Sequence, residues 1–135
     1  MAQADTLRRF VFERYPFRGQ LVHLGSAWAA MMEHHDYPAL VRDTLGEAVA
    51  AAALLSATLK YDGRLSLQLR GEGPMHLMLV ECTDGLAMRA VARFRDPPDS
   101  GDLRVLSGNG TLTVTVESGN AESRYQALER YGRDL

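Results

Sequence analysis

The sequence predicts an α+β domain in which helices cover one face of a mostly antiparallel sheet, and three observations carry that expectation. A chain of 135 residues is a single domain's length, 1–135, enough to bury roughly two-thirds of the surface its unfolded form exposes. Its stretch TLGEAVAAAALLSATLK, Thr44 to Lys60, holds no charge between Glu47 and Lys60 and repeats its apolar residues at helical spacing. Beyond Gly63 the apolar period shortens from about 3.6 residues to 2, the spacing of strands.

Residues near Leu7 to Phe12 and Phe17 to Leu24 read as a first strand pair. Ser26 to His34 follows as a short helix, with Ser26 as its cap and Trp28, Met31 and Met32 on one face. The Ala-rich central helix begins at Tyr37-Pro38, since proline at the first helical position loses only an amide that has no intrahelical partner. In it Val41, Leu45, Ala48, Ala52, Leu55 and Leu59 stack on one stripe, and Val49, Ala50, Ala51, Ala53 and Leu54 between them are also apolar. Such a helix is expected to be buried on several sides, its alanines letting neighbouring backbones approach. Thr44 and Glu47 have capping-box spacing, which allows a restart near Gly46, and Asp62-Gly63 supplies a left-handed stop.

Leu65, Leu67 and Leu69 then alternate with Arg64, Ser66, Gln68 and Arg70, and Gly71-Glu72-Gly73-Pro74 turns the chain into MHLMLVEC. Thr83-Asp84-Gly85 turns it again into LAMRAVARF, where Leu86, Met88, Ala90, Ala92 and Phe94 share a face, completing an antiparallel meander. The Pro-rich loop DPPDSGD (Asp96 to Asp102) interrupts it. GNG (Gly108 to Gly110) leads into a strand, TLTVTVE, with Leu112, Val114 and Val116 on one side and threonines on the other.

Composition excludes several classes. Apolar residues make up 46% and charged residues 24%, with net charge −2, which fits neither a disordered chain nor a polyanion binder. The apolar segment Leu45 to Leu59 is 15 residues with several Ala, Ser and Thr, short of the ~20 strongly apolar residues of a spanning helix, so no membrane partner is expected. The single cysteine, Cys82, has no internal partner and belongs to no C-x-x-C pair, and the N-terminal run lacks a signal peptide's apolar core. A reducing compartment and a cytoplasmic location follow as expectations.

Few residues suggest chemistry. His34-His35-Asp36 resembles a ligand cluster, but adjacent helical side chains point about 100° apart, and a helix C-terminus favours such residues for dipole reasons. Cys82 sits in an apolar strand as a small core residue. GEGP and GNG contain the G-x-G element, yet strands follow both, so they read as turns rather than phosphate cradles; the only lysine, Lys60, ends a helix. Arg89, Arg93 and Arg95 share one strand face, which opens a nucleic-acid reading, although the aromatic Phe94 points the other way. The strand MHLMLVEC sets Met75, Leu77 and Leu79 against Met78, Val80 and Cys82, so it needs cover on both sides or leaves an adhesive face.

Several motifs together resemble one family: HDYP (His35 to Pro38), LGEAVAAAALLSATLKYDG (Leu45 to Gly63), QLRGEGP (Gln68 to Pro74), the MRAVAR run from Met88, GNGTLTVTV (Gly108 to Val116) and RYQ (Arg124 to Gln126). In order, from Phe10 to Gln126, they look like the N-terminal core domain of the heat shock protein 33 family. The resemblance implies a redox-regulated, ATP-independent holdase of the bacterial cytoplasm that captures unfolding proteins under oxidative or heat stress. It further implies a C-terminal zinc switch built from C-x-C and C-x-x-C pairs, joined by a linker. No such cysteines are in this sequence and Cys82 matches none of them, so zinc is expected only in that further domain and no cofactor in this chain. The chain departs from the family at Ala90 and Ala127, where glycine is usual, and ALERYGRDL at its end leaves the pattern, so a truncated core is expected.

A holdase needs apolar surface rather than a nucleophile, so no enzyme activity is expected. The candidate client contacts are Met78, Val80 and Val91, and serine at 78 and 80 is expected to weaken aggregation suppression without unfolding the domain. The expected partners are unfolding client proteins and a second copy of the chain, as a homodimer or larger self-association. The rival readings are a nucleic-acid module using Arg89, Arg93 and Arg95, and a thiol enzyme at Cys82.

Overall fold

The computed structural model describes residues 4–59, 62–83, 85–118 and 124–130; Lys60, Asp84 and the end of ALERYGRDL lie outside them. The chain forms two compact units, residues 1–35 and residues 36–135.

The first unit is a hairpin followed by a short helix. Strands β1 (Thr6–Val11) and β2 (Arg18–His23) pair antiparallel with Phe10 opposite Gly19, close to the predicted bounds. The Phe10 ring lies across the Gly19 backbone, where a Cβ would meet it. Helix α1 (Ser26–Met32) differs from expectation at both ends. Ser26 is its first helical residue, and the residue before it, Gly25, has no side chain to cap with. The cap comes instead from Asp5, 22 residues away, whose carboxylate accepts the Ala27 N–H at 3.1 and 3.2 Å. His34, His35 and Asp36 fall beyond the helix and are exposed.

The second unit is one long helix on a five-stranded sheet. Helix α2 (Ala39–Thr58) runs 20 residues with Pro38 at its N-cap. No restart occurs at Gly46, because the Thr44 hydroxyl donates to the Leu40 carbonyl at 2.9 Å within the helix instead of capping a new one. The helix stops at Leu59, whose backbone is extended, and Gly63 opens a strand rather than closing the helix. Nor is α2 buried on several sides. Val41, Thr44, Leu45, Val49, Ala52, Ala53 and Ser56 are buried, while Arg42, Asp43, Glu47 and Ala51 are exposed, so it has one core face of mostly small residues.

Strands β3 (Gly63–Arg70), β4 (Met75–Thr83), β5 (Met88–Phe94), β6 (Thr111–Ser118) and β7 (Arg124–Arg130) form an antiparallel sheet in the order β5-β4-β3-β6-β7. Its packed face holds Leu65 opposite Cys82, Leu67 opposite Val80 and Leu69 opposite Met78, with Ala92 beyond, and α2 packs against β3, β4 and β5.

A short helix, α3 (Leu103–Ser107), follows the Pro-rich loop. The Asp102 carboxylate caps it by accepting the Arg104 N–H at 2.9 Å, and Gly108, left-handed at φ 65°, ends it. The GNG motif is thus a helix stop running into β6, and it packs backbone to backbone on the GEGP turn. Gly73 donates to the Ser107 carbonyl at 3.0 Å, and a Cβ on Gly73 would strike the Gly108 backbone.

Candidate functional site

A strand in a one-layer cover has a packed face and an open face, and β4 divides the predicted contact residues between them. Val80 is 0% exposed and Met78 is 4% exposed, both under α2. That corrects the expectation that these two form an outward surface: MHLMLVEC is apolar on both faces, so its pattern does not encode which one the helix covers. A register shift between Met75 and Leu77 also moves Met75 to the packed face, where it is buried. Val91 lies on the opposite face, paired with Leu79, and both are half-buried.

The open face is a grid. One row runs Val91, Leu79, Gln68, Thr113 and Leu128 across all five strands, with Leu128 exposed. Toward one end of the strands lies a chain of alternating charges: Arg89 to Glu81 at 2.5 Å, Glu81 to Arg64 at 3.9 Å, Arg64 to Glu117 at 3.1 Å and Glu117 to Arg124 at 3.7 Å. One member comes from each strand. The hydrogen bond and charge of Glu81 raise the Arg89 pKa above its ordinary value, so this guanidinium stays cationic. Arg93 shares the open face, whereas Arg95 lies past the end of β5 and its N–H donates to the Pro74 carbonyl at 2.8 Å. The three arginines of the nucleic-acid reading therefore do not form one free basic cluster.

The hairpin supplies an apolar surface that the sequence reading left unassigned. Phe10 and Phe12 form an edge-to-face pair at 6.0 Å, Phe12 and Phe17 another at 6.3 Å, and Tyr15 stacks on Phe17 at 6.2 Å. All four rings are exposed, Phe17 to 62%, and exposed Leu21 continues the face beyond Gly19. The ladder follows from alternation: Phe12, just past the end of β1, has the same parity as Phe10, and its N–H donates to the Phe17 carbonyl at 3.0 Å. The signal was the spacing of Phe10, Phe12 and Phe17 within a strand pair that buries none of them.

Cys82 is fully buried with its Sγ 3.5 Å from the Thr83 carbonyl, out of reach of a substrate. Among the described residues no group of three or more His, Cys, Asp or Glu is placed to hold a metal ion, and no helix is long and apolar enough to cross a membrane.

Comparison with known proteins gives concordant results. The profile of the family described as Hsp33 protein matches residues 5–130. The 33 kDa chaperonin of Cronobacter sakazakii is 44% identical over 129 residues, covering 95% of this chain and 44% of that protein. The 33 kDa chaperonin of Escherichia coli K12 is 40% identical over 129 residues, with the same coverage of 95% and 44%. A crystal structure of the 33 kDa chaperonin, a heat shock protein 33 homolog, from Thermotoga maritima superposes with a TM-score of 0.75 over 92% of this chain and 44% of the other, at 19% identity, which speaks to the fold. The chain spans less than half the length of these relatives.

Proposed function

This chain belongs to the Hsp33 family of chaperones, and from that premise we propose that it is an ATP-independent holdase core that binds unfolding clients through exposed apolar surface and keeps them from aggregating under oxidative or heat stress in the bacterial cytoplasm. The observation that carries the reading is the exposed aromatic face of the hairpin, Phe10, Phe12, Tyr15 and Phe17 with Leu21. Large contiguous apolar surface is unusual on a soluble monomer and marks interaction sites. The half-buried open-face row of Val91 and Leu79 is a second contact region, with Val91 retained from the sequence candidates.

Covering about 100 Å² of one ring is worth about 2.5 kcal/mol at 25 cal/mol per Å². Association and client ordering oppose this by several kcal/mol, so each patch binds weakly and broadly, and holding comes from several patches on one client. Such capture makes and breaks no bonds, hence no catalytic residue is assigned. The sole cysteine, Cys82, is buried in β4, and no zinc ligand is assigned to this chain.

Self-association belongs to the same reading. Among the described residues β7 pairs only with β6, whereas the other outer strand, β5, has its Ala92 N–H taken by the Tyr37 hydroxyl at 3.1 Å. The β7 edge is therefore the one offered to a second copy. The test of the client surface is Phe12→Ser combined with Phe17→Ser. Both side chains are exposed, so circular dichroism should be unchanged while aggregation suppression falls severalfold; full suppression by the folded double variant rules out the hairpin as the contact.

A further inference from the structure

The charge on the open sheet face is uneven. Arg64, Arg70, Arg89, Arg93, Arg124 and Arg130 face Glu81 and Glu117 only, a formal +4 on one side of a sheet in a chain whose net charge is −2. The two glutamates are both engaged by Arg64, Arg89 and Arg124. On the other side of the uncharged row lies a second row, Arg93, Leu77, Arg70, Thr111 and Arg130, whose three arginines are exposed and have no ion pair among the described residues. They occur on every second strand, so their Cα atoms are about 10 Å apart. The uncharged row runs parallel to them about 7 Å away, roughly one side-chain repeat along the strands.

We propose that this face selects client segments that are apolar on one side and acidic beside it, and that Arg70, Arg93 and Arg130 are the specificity-determining residues. The inference rests on the holdase reading and names the client class for one of its surfaces. Apolar side chains of the segment lie along Val91, Leu79 and Leu128, and its carboxylates reach the unpaired arginine row. Two turns of helix, seven residues, advance about 10.5 Å, so acidic residues at that spacing on one helix flank match the arginines. Guanidinium groups suit the task because they bind carboxylates bidentately and never lose their charge. A nucleic-acid backbone would also satisfy the charge, but among the described strand residues this face carries no aromatic ring on which bases could stack: Phe94 pairs with Met75 on the packed side and Tyr125 with Val116, also on that side.

The probes are two fluorescently labelled 18-residue helical peptides with the same leucine face, one with Glu at positions seven apart on its flank and one with Lys there. Anisotropy titrations use the whole chain, Arg70→Gln combined with Arg93→Gln, and a labelled oligothymidine. The wild type is expected to prefer the Glu peptide by about tenfold at low salt, a few-fold per arginine, and to lose that preference at high salt. The double variant, altered only at exposed side chains, is expected to lose most of the preference with its circular dichroism unchanged. Equal binding of the two peptides, or a preference that survives the double substitution, overturns the inference while leaving the holdase reading intact. Arginine-dependent oligothymidine binding tighter than that of the Glu peptide overturns it in favour of nucleic acid. A wild-type chain that fails to suppress aggregation overturns the holdase reading itself.

Discussion

Serine substitutions at adjacent positions of β4 separate the core from the open face. Val80 is fully buried opposite Leu67 and Ala90, while Leu79 is half-buried opposite Val91 and Gln68. Val80→Ser removes two buried methyl groups, about 1.6 kcal/mol of transfer free energy, and sets a hydroxyl where the neighbours are apolar, at a further 1–3 kcal/mol or so. The sum, about 3 kcal/mol, is a large part of the ~5–15 kcal/mol that stabilises a domain. At a typical urea slope it lowers the unfolding midpoint by more than about 1 M. Leu79→Ser loses a side chain already partly in water and should shift the midpoint by less than about half as much. Urea titrations followed by circular dichroism measure both, and aggregation suppression is then compared at a temperature where both variants are folded. Val80→Ser is expected to be unstable but, while folded, competent; Leu79→Ser is expected to be stable and a weaker suppressor. The reverse order of stabilities would refute the assigned faces of β4.

Gly73→Ala should destabilise by about 2 kcal/mol or more, because its Cβ would strike backbone atoms of Leu106 and Gly108 that have no rotamer to escape into, whereas Gly85→Ala, with nothing within 4 Å, should be near neutral in the same titration. Cys82 should react with an aromatic disulfide reagent only at the global unfolding rate, since its thiol is fully buried; fast labelling of the native chain would contradict its placement. Asp102→Ala removes the only side-chain cap of α3 and should cost about 1 kcal/mol, again read from the urea midpoint.

The α+β class, the central helix and β3 were legible because their signals are local. Leu65, Leu67 and Leu69 alternate cleanly with polar neighbours, and all three are buried as that alternation implies. β4 was legible as a strand but not in its orientation, since both its faces are apolar and the register shift beside His76 changes the parity of Met75. The placement of β6 beside β3 rather than β5 depends on long-range pairing that no window of sequence contains. The α1 cap at Asp5 was illegible for the same reason, being supplied from across the first unit. Helix α3 carried a readable signal, Asp102 before it and Gly108 after it, hidden by the Pro-rich loop and by reading GNG as a hairpin turn. The aromatic face of the hairpin was written in Phe10, Phe12 and Phe17, but alternation says only that they share a side; that the side stays uncovered is a property of the fold.

If this chain holds unfolding proteins chiefly by apolar surface, light scattering of a thermally aggregating client, with reductant present and ATP absent, is the most direct test. The account requires near-stoichiometric suppression that is unchanged by adding ATP and that persists at high salt, where hydrophobic contacts are maintained and charge contacts are screened. A folded chain that leaves the scattering curve unaltered at tenfold excess would contradict it.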